Sequence, residues 1–153
     1  MILRAIALML FSAGAAQALS CMPPDGKRSY ARFAAAEENY VVVEGQIDFD
    51  WQAVPNTPEN GHRIAARMEG RQLAQGAFGP KFSAPVTLVI SCAGPWCGGI
   101  AAGERYIAFL KQISGGGYEL ELEPCAGSVF SAENTRARKD ILSCSRGGRC
   151  KAD

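Results

Sequence analysis

The sequence predicts a mainly β fold with two helices (α+β): a small five-stranded antiparallel barrel, framed by an N-terminal and a C-terminal helix and stapled by disulfides. Three observations lead there. Short apolar or alternating runs recur between turn signals, helix-forming segments stand on either side of them, and six cysteines follow an N-terminal segment that reads as an export signal.

The signal comes first. Arg4 supplies a short basic start, Ala5 to Phe11 an apolar run, and Ala16-Gln17-Ala18 the small-x-small pattern of a cleavage site. The run is shorter than the ~20 apolar residues of a membrane span, and no later stretch qualifies, so no integral membrane span is expected. Residues 1–20 are read as signal, with cleavage after Ala18 or Ser20; the second choice leaves Cys21 as the first residue. The mature chain then has the size of one domain, divided into a barrel over residues 21–130 and a C-terminal helix and basic, disulfide-looped tail over 131–153. Without Arg4, fifteen basic residues balance fifteen acidic ones, which gives no reason to expect a nucleic-acid partner. The localisation expected is secreted or periplasmic.

The first element is a helix from Ser29 to Glu38, alanine-rich and without breakers. Tyr40 to Asp50 alternates, with Val41, Val43, Ile47 and Phe49 opposed to Glu44, Gln46, Asp48 and Asp50, which predicts a half-buried first strand. A polar tract from Trp51 to Gly61 interrupts. The second strand runs from about His62 to Ala74, with a bulge expected at Gly70, and the third from Val86 to Ser91 after Pro85. The fourth, Arg105 to Lys111, is apolar on both sides and therefore central. Three glycines at 115–117 permit a tight turn into the fifth strand, Tyr118 to Glu123, whose glutamates face water. Ser131 is the expected cap of a second helix that reaches Ile141 and Leu142.

All six cysteines, Cys21, Cys92, Cys97, Cys125, Cys144 and Cys150, lie beyond the signal, and an even count in an exported chain predicts that all are oxidised. Metal binding is not expected: no Cys-x2-Cys pair occurs and His62 is the one histidine. The stretch SCAGPWCGGI (91–100) contains Trp96-Cys97-Gly98, the opening of a thioredoxin-type site, but Ile100 stands where the resolving cysteine belongs. The glycines after Cys97 lead into a strand, not into the helix N-terminus that would lower a thiol pKa. Cys97 therefore reads as a staple in an interstrand loop, and a periplasmic thiol-disulfide protein using Cys97 is the alternative function; a structural envelope protein is another. No nucleophile elbow, phosphate loop or paired histidines are present, and no enzymatic activity or cofactor is expected.

Cys21-Met22-Pro23-Pro24, the valine-rich strand ending Gly45-Gln46-Ile47, the tract from Phe82 to Ser91-Cys92, the run Gly103 to Leu110 and Cys125 after the fifth strand together resemble the netrin-like module. That is the OB-fold barrel shared by the tissue inhibitors of metalloproteinases and several extracellular proteins. The resemblance covers about Cys21 to Cys125. It implies an exported binding module without catalytic residues, and an extracytoplasmic protein partner that in the inhibitors is a zinc endopeptidase. It implies a Cys21–Cys92 bridge; Cys97–Cys125 and Cys144–Cys150 would follow. Cys21–Cys125 with Cys92–Cys97 stays open, because sequence does not fix connectivity. In the inhibitors, the amine and carbonyl of an N-terminal cysteine chelate the catalytic zinc, so Cys21 becomes a candidate binding residue. Trp51 and Trp96 are the others: both fall in loops, where an indole either plugs the end of a barrel, the expected role, or anchors a partner.

Overall fold

The computed structural model describes residues 20–150; the predicted signal up to Leu19 lies outside them, as do residues 151–153. In order come helix α1 (Gly26–Ala34), strand β1 (Tyr40–Phe49), a 3-10 turn (Trp51–Ala53), β2 (His62–Ala74), β3 (Ala77–Ile90), the short strands β4 (Cys92–Ala93) and β5 (Trp96–Cys97), β6 (Arg105–Gln112), β7 (Tyr118–Leu122), β8 (Val129–Ser131) and α2 (Thr135–Ser145). Six strands form one mixed sheet in the order β1-β2-β3-β7-β6-β8, and β1 also pairs with β6. β4 and β5 form a separate hairpin.

The mainly β character with two helices stands as expected; the five all-antiparallel strands do not. β8 adds a sixth strand beside β6, and β3 pairs with β7 in parallel, from Val86↔Tyr118 to Ile90↔Leu122. The reason is geometric. The pairings β1–β2, β2–β3, β3–β7, β7–β6 and β6–β1 return to their starting strand. Each antiparallel step reverses direction, so a cycle with an odd number of steps must contain a parallel one. The β6–β7 join is narrow, limited to Lys111↔Glu119 and Gln112↔Tyr118.

β1 pairs with two strands along overlapping stretches, Val43–Phe49 with β2 and Tyr40–Gln46 with β6. Gly45 makes this possible. It lies opposite Gly70, and a Cβ on Gly45 would stand 2.2 Å from the Glu69 carbonyl oxygen. Gly70 therefore serves a close strand approach, and the expected bulge sits nearby instead, between Arg71 and Leu73. β3 starts nine residues earlier than the expected Val86 because Gln75 and Gly76, both at positive φ, close a two-residue hairpin between Ala74 and Ala77. Pro80 and Pro85 fit within β3 because its pairing with β7 begins only at Val86, which leaves their side of the strand as an edge.

The inner core gathers Val43, Ile47, Met68, Leu88, Leu110 and Leu120 from five strands. A second layer lies outside β1 and β6, where Val42, Ile107 and Phe109 meet Phe33 of α1, Phe130 of β8 and Ile141 of α2. β6 is thus buried on both faces, as its sequence predicts. The first helix starts earlier than expected, and the second starts at a cap other than the one expected. Asp25 accepts from the Arg28 amide (2.8 Å) and starts α1 at Gly26, three residues before Ser29. Asn134 accepts from the Ala137 amide (3.0 Å) and caps α2, whereas Ser131 is held in β8 opposite Tyr106.

All six cysteines are paired, as Cys21–Cys125, Cys92–Cys97 and Cys144–Cys150. Cys21–Cys92, the bridge implied by the resemblance, is not formed. Cys92 and Cys97 face each other directly across the β4–β5 hairpin, and Cys125, three residues beyond β7, is the one that meets Cys21.

Candidate functional site

β1, β3 and β7 finish at the same end of the sheet, where β2 and β6 begin. Backbone hydrogen bonds tie the connections there to one another. The Gly61 amide donates to Ile90 (2.7 Å), Ser91 to Leu122 (2.9 Å) and Gly103 to Ile47 (2.8 Å). The Cys92 amide donates to the Asn60 side chain (3.2 Å), which links the β1–β2 loop to the hairpin. Gly98 packs its backbone on the end of β7, where a Cβ would lie 2.1 Å from the Leu122 carbonyl oxygen.

The large exposed hydrophobic residues lie at this rim: Met22 (68% exposed), Trp51 (70%), Val54 (39%) and Trp96 (47%). Neither tryptophan is buried as a plug, which corrects the sequence expectation. Ile100, Cys92 and Phe49 pack on the inner core instead. Trp51 is held outward by its own turn, in which Asp50 accepts from the Gln52 amide (2.9 Å) and the Val54 amide donates to Trp51 (3.1 Å). Trp96 stands on β5 opposite Ala93, beyond the turn formed by Gly94 at φ 59 and Pro95.

Cys21 is exposed and fixed to the end of β7 by its bridge to Cys125. A shallow cavity of about 330 Å³ opens beside it, lined among others by Pro23, Arg28, Ser29, Arg32 and Gly127. Arg28 donates to the Met22 sulfur at 3.7 Å, and Arg32 pairs with Glu123 at 3.3 Å. The N-terminal part of the rim is therefore lined by arginines.

His62 is half-buried, with Nε2 at 3.0 Å from the Ala53 carbonyl oxygen and Nδ1 at 3.4 Å from the Glu59 carboxylate. Both nitrogens hold the β1–β2 loop. Among the described residues, no three His, Cys, Asp or Glu side chains form a group that could hold a metal ion. Residues 37–50 are rich in acidic side chains, and two of these are engaged in ion pairs. Glu44 accepts a bidentate contact from Nε and Nη2 of Arg138 in α2 (3.1 Å each), and Lys111 donates to Glu38 (2.9 Å), which holds that carboxyl below the usual glutamate range. Arg138 and Arg146 of the basic C-terminal segment are likewise engaged, by Glu44 and by the Gly76 carbonyl.

Sequence reasoning found Cys21, Trp51 and Trp96 but overlooked Met22 and Val54. Their signal was present, as apolar residues within polar, proline-containing stretches where no core periodicity explains them. Among the described residues no helix is long and apolar enough to cross a membrane. No family model, curated protein or solved structure matches this chain.

Proposed function

We propose that the chain is an exported, non-enzymatic binding module on a closed OB-like barrel of netrin-like type, and that in its sharpest form it inhibits a zinc endopeptidase. One observation carries this reading: the exposed Cys21 segment, both protruding connections and the exposed apolar side chains share one rim. The cycle of strand pairings supports the barrel. Export is supported by three disulfides, which persist in oxidising compartments.

If the mature chain begins at Cys21, its α-amine, with a reference pKa of about 7.7–8.0, is partly neutral near physiological pH and can donate to an open zinc position. The bridge to Cys125 holds the amine and the adjacent carbonyl against β7, so binding loses less conformational freedom than a loose terminus would. Protein beginning at Cys21 and protein beginning at Leu19 are assayed against a panel of zinc endopeptidases. Inhibition by the first alone is expected; equal inhibition, or none by either, removes the chelate.

A second reading is favoured by Cys97, which is exposed and has a partner, Cys92, within its own hairpin. In this reading an external dithiol attacks Cys97, Cys92 leaves as a thiolate, and the donor's second thiol closes its own disulfide as Cys97 is released reduced. Catalysed insulin reduction by the wild type, lost in Cys97→Ser, would establish it in place of the binding module.

A further inference from the structure

We infer that the β1–β2 loop and the β4–β5 hairpin form a docking surface for a cationic protein segment, one that presents lysine or arginine side chains to Trp51, Val54 and Trp96. The surface rests on the reading of the chain as a binding module, but not on chelation by Cys21.

Charge selects the partner. The whole sequence is nearly balanced, at net +1, yet residues 48–61 and 91–104 contain Asp48, Asp50, Glu59 and Glu104 with no lysine or arginine. None of the four carboxylates forms an ion pair with a lysine or arginine among the described residues. Asp48 accepts from the Gln46 side chain (3.0 Å), Asp50 caps its turn and Glu59 meets His62. The nearby cations are engaged elsewhere: Arg67, opposite Asp48 across β1 and β2, is bound by Glu69, Arg63 is bound by Glu119, and Arg105 lines an outer groove with Glu44 and Glu69.

The negative charge is joined to apolar anchors. Trp51 and Trp96 stand on connections linked through the Asn60 contact to Cys92 and the His62 contact to Ala53, and an exposed indole is the preferred aromatic face for a guanidinium or ammonium. Asp50 directly precedes Trp51, and a carboxylate next to an indole complements a cation twice, by direct charge and by ring quadrupole. The same carboxylates repel anionic lipid and nucleic acid. Met22 is left out of this surface, because Arg28 stands on it.

The chain carries its own reporters, since Trp51 and Trp96 are its two tryptophans. The mature protein is titrated with a short Arg-Ala repeat peptide, its Glu-Ala counterpart, phosphatidylglycerol vesicles and a neutral oligosaccharide, following tryptophan emission. A saturable change with the cationic peptide alone is expected, weakening as salt rises. The variant Asp48→Asn/Glu59→Gln/Glu104→Gln keeps both reporters and should bind at least about tenfold more weakly. Trp51→Phe, read through Trp96, should also weaken binding. Circular dichroism confirms that each variant is folded, and the comparison of probes on the wild type needs no variant. No cationic response, full binding by the triple variant, preference for vesicles or oligosaccharide, or occupation of the surface by a second copy in sedimentation would each overturn the inference. Loss of the cationic response with zinc-endopeptidase inhibition intact would overturn this surface and leave the chelate standing.

Discussion

At the scale of single residues, the Gly45–Gly70 pair sets a steric limit on how β1 meets β2. A Cβ on Gly70 would stand 2.2 Å from the Glu44 carbonyl oxygen and 2.5 Å from the Gly45 Cα, both backbone atoms that cannot rotate away. Gly70→Ala should therefore push β1 from β2 and cost ~3 kcal/mol in urea unfolding, the upper end for an overpacked core site. Gly79→Ala is the control, because nothing lies within 4 Å of its added carbon. The sequence reading places Gly70 in a strand, as a bulge, and Gly79 outside any; the structure puts both in strands, and what separates them is the neighbouring strand, which local pattern does not show. The Glu38–Lys111 contact makes a second prediction. Lys111 hydrogen-bonds and attracts the Glu38 carboxylate, lowering its pKa, and Glu38 raises that of Lys111 in return. The Glu38 contribution is fully present above its unfolded value of ~4.3 and is lost as pH falls through the lower folded value. The Lys111 contribution is fully present below ~10.4 and is lost as pH rises through the higher folded value. Melting curves of wild type and Glu38→Gln should thus differ by a small, constant amount between about pH 5 and 9, and converge at both extremes; a gap unchanged at about pH 3 would mean the pair contributes nothing.

At the scale of elements, the two helices show how far periodicity reaches. Their existence was legible, while their starts depended on which polar residue was free to cap. Ser131 ahead of a helix-forming run reads as a cap, but β8 holds Ser131 in a ladder with Tyr106, and that pairing is non-local. Asp25 after Pro23-Pro24 was the better signal for α1 and is readable as such. β3 was cut short for a similar reason. Pro80 and Pro85 argue against a strand only where both edges are paired, and the edge became visible only with the β3–β7 register. Phe33 joins α1 to the sheet: its ring lies 4.7 Å from that of Phe109 and 4.6 Å from that of Tyr40, and it is 9% exposed. Phe33→Ala should cost about 3–5 kcal/mol. Because the inner core does not contain Phe33, the β signal in circular dichroism should persist at temperatures where α1 has detached; simultaneous loss of both would show that helix layer and sheet unfold as one unit.

At the scale of the whole molecule, the rim is where separate parts of the chain converge, and that convergence was the least legible feature. The sequence reading named Cys21, Trp51 and Trp96 one at a time, but which cysteine lies beside Cys21 depends on β7 running parallel to β3. The parallel step carries the end of β7, and with it Cys125, to the end of the sheet where the hairpin stands. The hairpin then has no need of an outside cysteine, since Cys92 and Cys97 are cross-strand partners. The two bridges consequently do different work. Cys21–Cys125 joins residues 104 apart in sequence, whereas Cys92–Cys97 joins residues 5 apart. In the chain-entropy treatment the long loop confers ~4.8 kcal/mol and the short one ~2.2 kcal/mol, because the unfolded chain loses more freedom when distant residues are tied. Cys21→Ser/Cys125→Ser should therefore lower stability by roughly 2.5 kcal/mol more than Cys92→Ser/Cys97→Ser, measured by urea unfolding on identically prepared proteins. The first pair should also raise the m-value, since the unfolded state expands once its longest tie is cut; the second should leave m unchanged. Equal losses with equal m-values would mean that the Cys21 segment contributes through local contacts at the rim and not by constraining the chain as a whole.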